Sequence, residues 1–431
     1  MSKKLIVILA LAFVVGLSAS AFAEVQNVKI SGDINVVGLD RSNLNFKSNG
    51  GDAGNEFATI SRIKIDANLT DNVDVTFRLL NERAWGSLDN DVDNTNGHSS
   101  AVDVDLAYVT LKEFMKSTIS VPVTMVIGRQ NVLIGSGLLV GAAGTNQYNN
   151  NRLPRYMSDL SARGAFDGVA SVWEFTPEFT VTAAYVKAAE GAITDGHDVD
   201  VYVADAVYKL GENFFDTNLE ATYVGQRQTT EGNVSNYGVR ATSAPIKDLN
   251  VEAEYVYQMN NSQAVGSANG ENKAAEALRL GANYTFSEVS MKPGLGVDYT
   301  RLSKYWNPMQ ESISPADLAN FIFQNTNLNI IGATLTAKPL DDLGLRVRYA
   351  NLSLAKDGNG ANYVSSGTND TYAMNAGKKD LGYEVDAGLT YDYTSDVQFG
   401  LNYGIFDPGK AFSSANRKAA SQVLGSMKVS F

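Results

Sequence analysis

The chain has 431 residues, 44% hydrophobic and 19% charged, with 38 Gly, 20 Tyr, 18 Phe and no Cys. Lack of cysteine excludes structural disulfides, thiol catalysis, c-type haem attachment and cysteine-held zinc or iron-sulfur sites, and two histidines, His98 and His197, leave little for a histidine-rich metal centre. A formal charge of -12, from 35 basic and 47 acidic residues, argues against nucleic acid as a partner.

The first element is a targeting segment. Lys3 and Lys4 precede an apolar run from Leu5 to Leu17, and Ala21-Phe22-Ala23 follows with small residues spaced as a cleavage signal requires. Residues 1–23 read as a secretory signal peptide, with Glu24 starting the mature chain. The apolar run is shorter than the roughly 20 residues a membrane helix needs.

Beyond the signal the period is two. Strands are expected at 27–40, 57–70, 73–84, 101–112, 120–130, 162–175, 179–189, 199–210, 216–227, 234–244, 248–259, 276–287, 291–302, 327–338, 341–353, 380–394, 396–406 and 420–431. Leu249, Val251, Ala253, Tyr255 and Tyr257 alternate with mostly polar neighbours, as do Leu381, Tyr383, Val385, Ala387, Leu389, Tyr391 and Tyr393. Such strands have the length that crosses a bilayer when tilted, and eighteen is an even number.

Connections alternate in length. Turns at Asp71-Asn72, Thr176-Pro177-Glu178, Gly211-Glu212-Asn213, Pro245-Ile246-Lys247, Ser287-Glu288, Pro339-Leu340 and Thr394-Ser395 separate polar stretches near 41–56, 85–100, 131–161, 190–198, 228–233, 260–275, 303–326, 354–379 and 407–419. The fold class expected is all-β, a transmembrane antiparallel β-barrel of 18 strands with short periplasmic turns and long extracellular loops. Backbone groups at an open edge would be unsatisfied in lipid, so Val423 to Phe431 should close against the segment Val28 to Val37. Tyr108, Phe114, Tyr185, Tyr208, Phe214, Phe286, Tyr299 and Tyr393 are expected in interfacial girdles.

If apolar residues face lipid, the opposite parity faces water. That face carries Arg62, Lys64, Asp66, Asp74, Thr76, Arg78, Glu82, Asp103, Asp105, Arg240, Glu252, Glu254, Arg279, Asp298, Arg346, Arg348, Glu384, Asp386, Asp392 and Lys428. An Arg or Lys facing lipid at the midplane would cost roughly 2–4 kcal/mol, so these charges need a wet interior. Two electrostatic arrangements follow. In one, a basic arc (Arg62, Lys64, Arg78, Arg346, Arg348) opposes an acidic arc (Asp103, Asp105, Glu252, Glu254, Glu384, Asp386) and sets up a transverse field. In the other, neighbouring charges neutralise one another and keep the wall hydrated.

The longest unpatterned connection, 131–161, has an apolar start, several glycines and the pair Arg152 and Arg155. That composition suits an inward-folded constriction loop. Asp89, Asp91 and Asp93 space carboxylates as part of a calcium loop would, but Ser100 stands where a bidentate Glu is needed; a solvated acidic loop is the simpler reading. No cofactor is implied.

The segment Ile127-Gly128-Arg129-Gln130-Asn131-Val132-Leu133-Ile134-Gly135-Ser136-Gly137, with Asn151-Arg152 and Phe166-Asp167-Gly168-Val169 after it, resembles the alginate-export and related outer-membrane porin families. The resemblance implies a channel for small or polymeric anionic solutes. It also implies that Arg129 and Arg152 line a constriction or anchor its loop, with Asp167 as a buried partner. Arg129 shares parity with Ile127 and Met125, so a bulge or strand end would have to turn it inward.

The function expected is a water-filled channel for passive diffusion of small hydrophilic solutes or ions across the outer membrane of a Gram-negative-type bacterium. Alternatives are a selective channel for anionic saccharides and a structural sleeve around an envelope partner. An enzyme is not expected, since His98 and His197 sit in polar loops outside any catalytic pattern. Expected partners are membrane lipids and lipopolysaccharide, the barrel-assembly machinery through the C-terminal strand ending at Phe431, and the solutes; monomer and homotrimer are both compatible.

Overall fold

The computed structural model describes residues 27–47, 54–86, 101–141, 153–189, 198–228, 232–260, 273–314, 316–358, 360, 363–364 and 370–431. Residues 1–23, the acidic triplet Asp89, Asp91 and Asp93, both histidines and Arg152 lie outside the described residues.

The strands are β1 (Asn27–Ser42), β2 (Gly54–Thr70), β3 (Val73–Ala84), β4 (Val102–Leu111), β5 (Val123–Gln130), β6 (Phe166–Glu174), β7 (Phe179–Ala189), β8 (Val199–Lys209), β9 (Asn218–Gln228) and β10 (Val234–Ile246). They continue as β11 (Leu249–Asn260), β12 (Lys273–Thr285), β13 (Gly294–Leu302), β14 (Leu328–Leu340), β15 (Leu343–Leu354), the short hairpin β16 (Tyr363–Val364) and β17 (Thr371–Tyr372), then β18 (Asp380–Asp392), β19 (Val397–Pro408) and β20 (Ala420–Ser430). All but the hairpin form one 18-stranded antiparallel sheet in which β1 pairs with both β2 and β20, so the sheet is a closed barrel.

The closing seam runs from Asp33 opposite Ser430 to Ser42 opposite Ser421, and Gly32 and Phe431 exchange backbone hydrogen bonds. It lies further towards the extracellular end of β1 than Val28 to Val37, because the first residues of β1 pair with β2 alone. Strand tilt requires such a stagger when a sheet closes.

Side chains on the outer wall are those that hydrocarbon tolerates. Phe57, Ile63, Val239, Leu295, Ile331, Leu335, Val347 and Leu401 are exposed there. Aromatics border this band: Trp173, Phe175, Phe179 and Tyr208 form one chain of ring contacts, and Tyr185 meets Tyr202 at the other end. Tyr108 does not join a girdle. A bulge beside Arg78 and Leu79 takes up Asp105 as an extra residue, which reverses the parity of the rest of β4 and sets Tyr108 opposite the buried inner-face Thr76.

The expected rule that apolar residues face outward fails in the extracellular half. On β8, Val201 and Val203 are buried on the inner face while Tyr202 is exposed on the outer one; on β14, Leu328 and Ile330 are buried inside and Ile331 is exposed outside. These inner apolar residues are covered by chain that connects the strands. Val132, Ile134 and 138–140 pack on β6–β12, joined by Trp306 and Ile313. A short helix, α1 (Asp317–Ile322), with Phe323 packs against β14, β15, β18, β19 and the segment around Leu44 and Phe46. Leu153 and Met157 cover Val37, Leu39, Ala58, Ile60 and Leu80. The hydrophobic core of this protein thus lies inside the barrel, and burying about 0.8 kcal/mol per methylene is enough to draw these segments inward.

Candidate channel interior

Three inward segments are each held by charged or polar side chains of the wall. In the first, Gly135 and Gly137 adopt positive φ of 58° and 81°, which tightens a turn that bridges Ile134 to Val140. Its Ser136 hydroxyl donates to Glu254 on β11. In the second, the amides of Leu318 and Ala319 at the start of α1 each donate to one oxygen of Glu384 at 2.6 Å. A buried carboxylate facing free helix amides satisfies donors the helix itself cannot. Gln258 on β11 exchanges two hydrogen bonds with the backbone of Asn307, at 2.9 and 2.7 Å. Tyr363 in the β16–β17 hairpin accepts from the amide of Gln324 at 2.6 Å, and burial pushes its phenol up from the usual tyrosine value.

The third segment includes a 3-10 turn (Arg155–Leu160). Arg41, buried at the end of β1, grips Asp159 with two bonds of 2.9 and 2.8 Å, donates to the carbonyl of Tyr156 at 2.7 Å and stacks over Phe321 at 4.0 Å. Fully buried Glu82 accepts from Ser161 Oγ at 2.9 Å, the amide of Ala162 at 2.7 Å and Arg163 Nε at 3.1 Å. Arg163 also pairs with Asp103.

The first two segments are joined to each other. The amide of Gly141 donates to the carbonyl of Gln310 at 2.7 Å and that of Ser312 to the carbonyl of Gly137 at 2.9 Å. Beside this junction is a cavity of about 410 Å³ between the inward chain, at Ser136, Ser312 and Ser314, and the β11–β15 wall, at Glu252, Arg279, Asp298, Arg346 and Arg348.

Most of the wall charges expected from sequence sit on the inner face in neighbouring ion pairs, while Glu384 is bound by the amides of α1. Arg62 binds Asp33 at 2.9 Å, Lys64 binds Asp66 at 2.8 Å, Arg78 binds Asp105 at 2.6 Å and Arg348 binds Asp298 at 2.6 Å. Both Glu252 and Glu254 lie near Arg279, at 3.8 and 3.6 Å, and Arg240 meets Glu220 and Glu252 at 3.1 and 3.3 Å. Arg346 approaches Asp317 of α1 at 3.7 Å. Asp386 is buried beneath the same region. The pattern is a mosaic of pairs, as in the neutralising arrangement, rather than two opposed arcs.

Arg129 is not in the interior. The register runs unbroken from Ile127 to Arg129 against β4 and from Ile127 to Gln130 against β6, so Arg129 stays on the outer face with exposed Ile127 and pairs at 2.8 Å with Asp167, itself 63% exposed. No bulge turns it, and Gln130 is the residue that points inward and is buried. Arg155 opens the 3-10 turn, and its side chain lies outside the described residues. Arg41, Asp159, Arg163 and Asp317 lie outside the alternating charged face that the sequence displays; the one signal it carries for them is the parity of Arg41 with Val37 and Leu39. Among the described residues no group of three or more acidic or histidine side chains is placed to hold a metal.

A family model described as alginate export matches residues 40–426. The chain belongs to this family. It is an outer-membrane porin, a channel protein of the Gram-negative outer membrane whose outer wall meets lipid. Among solved structures it is similar to OccAB1 of Acinetobacter baumannii, at 11% identity over 95% of this chain and 98% of that one, with a TM-score of 0.60. It is also similar to the outer membrane protein OpdK of Pseudomonas aeruginosa, at 12% identity over 94% and 100%, with a TM-score of 0.57. OccK2 (OpdF) of Pseudomonas aeruginosa, solved in complex with glucuronate, matches at 11% identity over 95% and 100%, with a TM-score of 0.57. A search of curated protein sequences finds no match.

Proposed function

We propose that this porin is a restricted diffusion channel for small hydrophilic solutes, narrowed by the inward segments 131–141, 303–314 and 316–323, and that residues 1–23 direct its export. The observation that carries this reading is the hydrogen-bonded junction of the first two of those segments beside a polar cavity of about 410 Å³. Eighteen strands alone would enclose a much wider opening. The size and the hydroxyl-rich lining suit monosaccharide-sized solutes better than a polymer. An interior already packed by its own chain also speaks against the sleeve around an envelope partner.

A second reading, preference for anionic saccharides, rests on two guanidinium groups. Arg279 and Arg346 reach their acidic neighbours only at 3.6–3.8 Å, whereas Arg62, Arg78 and Arg348 are bound at 2.6–2.9 Å. Loosely held guanidinium at a cavity wall is available to a solute carboxylate. The glucuronate of OccK2 is a solute of that chemical class.

Single-channel recording in asymmetric salt tests both. A large conductance unchanged by deletion of 133–139 would defeat the restricted-channel reading, and cation preference of the intact channel would defeat the anionic one.

A further inference from the structure

Five charged residues stand in one straight row across the outer wall, at the extracellular ends of β5 to β9. Arg129 is opposite Asp167, Asp167 opposite Lys187, Lys187 opposite Asp200 and Asp200 opposite Arg227, so sign alternates strand by strand. Arg129 bonds Asp167 at 2.8 Å, Lys187 lies 3.2 Å from Asp198 and 3.4 Å from Asp200, and Arg227 lies over the Tyr202 ring at 5.5 Å. Two residues nearer the periplasm, the same face carries Ile127, Val169, Tyr185 and Tyr202. The row therefore lies just beyond the apolar band and its tyrosines, at the depth of lipid headgroups, where the cost of an outward charge has fallen away.

We propose that this row is a docking strip for the phosphorylated glycolipid of the outer leaflet. The guanidinium and ammonium groups of Arg129, Lys187 and Arg227 take phosphate oxygens. Asp167, Asp198 and Asp200 take the divalent cations that bridge neighbouring phosphates. A uniformly basic patch would repel those cations, whereas alternating sign matches a headgroup layer that itself alternates phosphate and cation. A second copy of the chain fits poorly. Docking about an axis along the membrane normal reverses the row, setting Lys187 against Lys187, Arg129 against Arg227 and Asp167 against Asp200.

The test is native mass spectrometry of the full-length protein folded in neutral detergent and titrated with bis-phosphorylated lipid A in the presence of magnesium. The combined variant Arg129→Gln, Lys187→Gln, Arg227→Gln is expected to bind about tenfold more weakly than the parent, and Arg301→Gln, on the outer wall of β13, to bind like the parent. Asp167→Asn with Asp200→Asn is expected to remove the magnesium dependence. Equal binding by parent and combined variant overturns the proposal. So does displacement of lipid A by millimolar inorganic phosphate, which would make the strip a free-anion site, or a dimer that the combined variant abolishes. Should the combined variant fail to fold, Arg227→Gln alone carries the comparison, with at least a twofold loss expected and no loss overturning the assignment.

Discussion

Arg348 reaches Asp298 across a whole intervening strand. The two residues sit on β15 and β13, and the pair passes over Gly332 of β14, where a Cβ would lie 2.4 Å from Arg348 Nη2 and 2.5 Å from Asp298 Oδ1. The glycine is what lets the strand pass beneath the pair.

Gly332→Ala is therefore expected to break this pair. A partly buried charge pair losing its geometry costs about 1–3 kcal/mol, read as a lower midpoint for loss of the folded band in heat-modifiable gel mobility. An unchanged midpoint would refute the role assigned to Gly332.

Glu384→Gln leaves one oxygen to accept from α1 and turns an NH₂ towards the other amide. One unsatisfied buried donor costs about 1–3 kcal/mol, enough to raise the population of a displaced α1 by roughly fivefold or more. Planar-bilayer recordings should show added fluctuation towards higher conductance; a trace as quiet as the parent's would count against α1 as part of the narrowing.

For Arg346→Gln a change in selectivity with little change in stability is expected. Its partner Asp317 is 3.7 Å away and Arg346 is 38% exposed, so the pair contributes little to folding. Two unit charges about 4 Å apart in water interact by about 1 kcal/mol, so the anion-to-cation permeability ratio should fall about fivefold. A ratio within experimental error of the parent's would argue against Arg346 as a solute contact.

Arg41→Ala should be the most destabilising of these changes. It strands the partly buried Asp159 and removes the stack of buried Arg41 on Phe321, and breaking a buried pair costs about 3–5 kcal/mol. Arg41→Lys, which cannot form the two-bond fork, should recover only part of that loss. Full recovery by Lys would mean that the charge alone matters.

The barrel was legible in the sequence because lipid imposes a one-sided apolar pattern, seen in Leu343, Leu345, Val347 and Tyr349, whose partners on the other face are polar. That pattern blurs at Val37, Leu39, Val201, Val203 and Ile330, since apolar inner faces are satisfied by the protein's own chain. Periodicity registers hydrophobicity but not which phase covers it. In the sequence, length and glycine content point to inward folding for 131–161; the apolar run Leu318, Ala319, Phe321 and Ile322 is an equal sign, masked by its place in one of the long polar connections, 303–326. Arg129 is the converse case. Its strand parity pointed outward, as the structure has it, and only the family resemblance pointed in.

The two segments that meet at Gly141–Gln310 and Ser312–Gly137 belong to connections β5–β6 and β13–β14, which lie far apart along the chain and around the wall. Neither can find the other until the strands between them have curled round to a common hollow. The barrel must consequently arise with a wide bore and acquire its narrow throat last, so an assembly intermediate caught before that step would leak more than the finished protein.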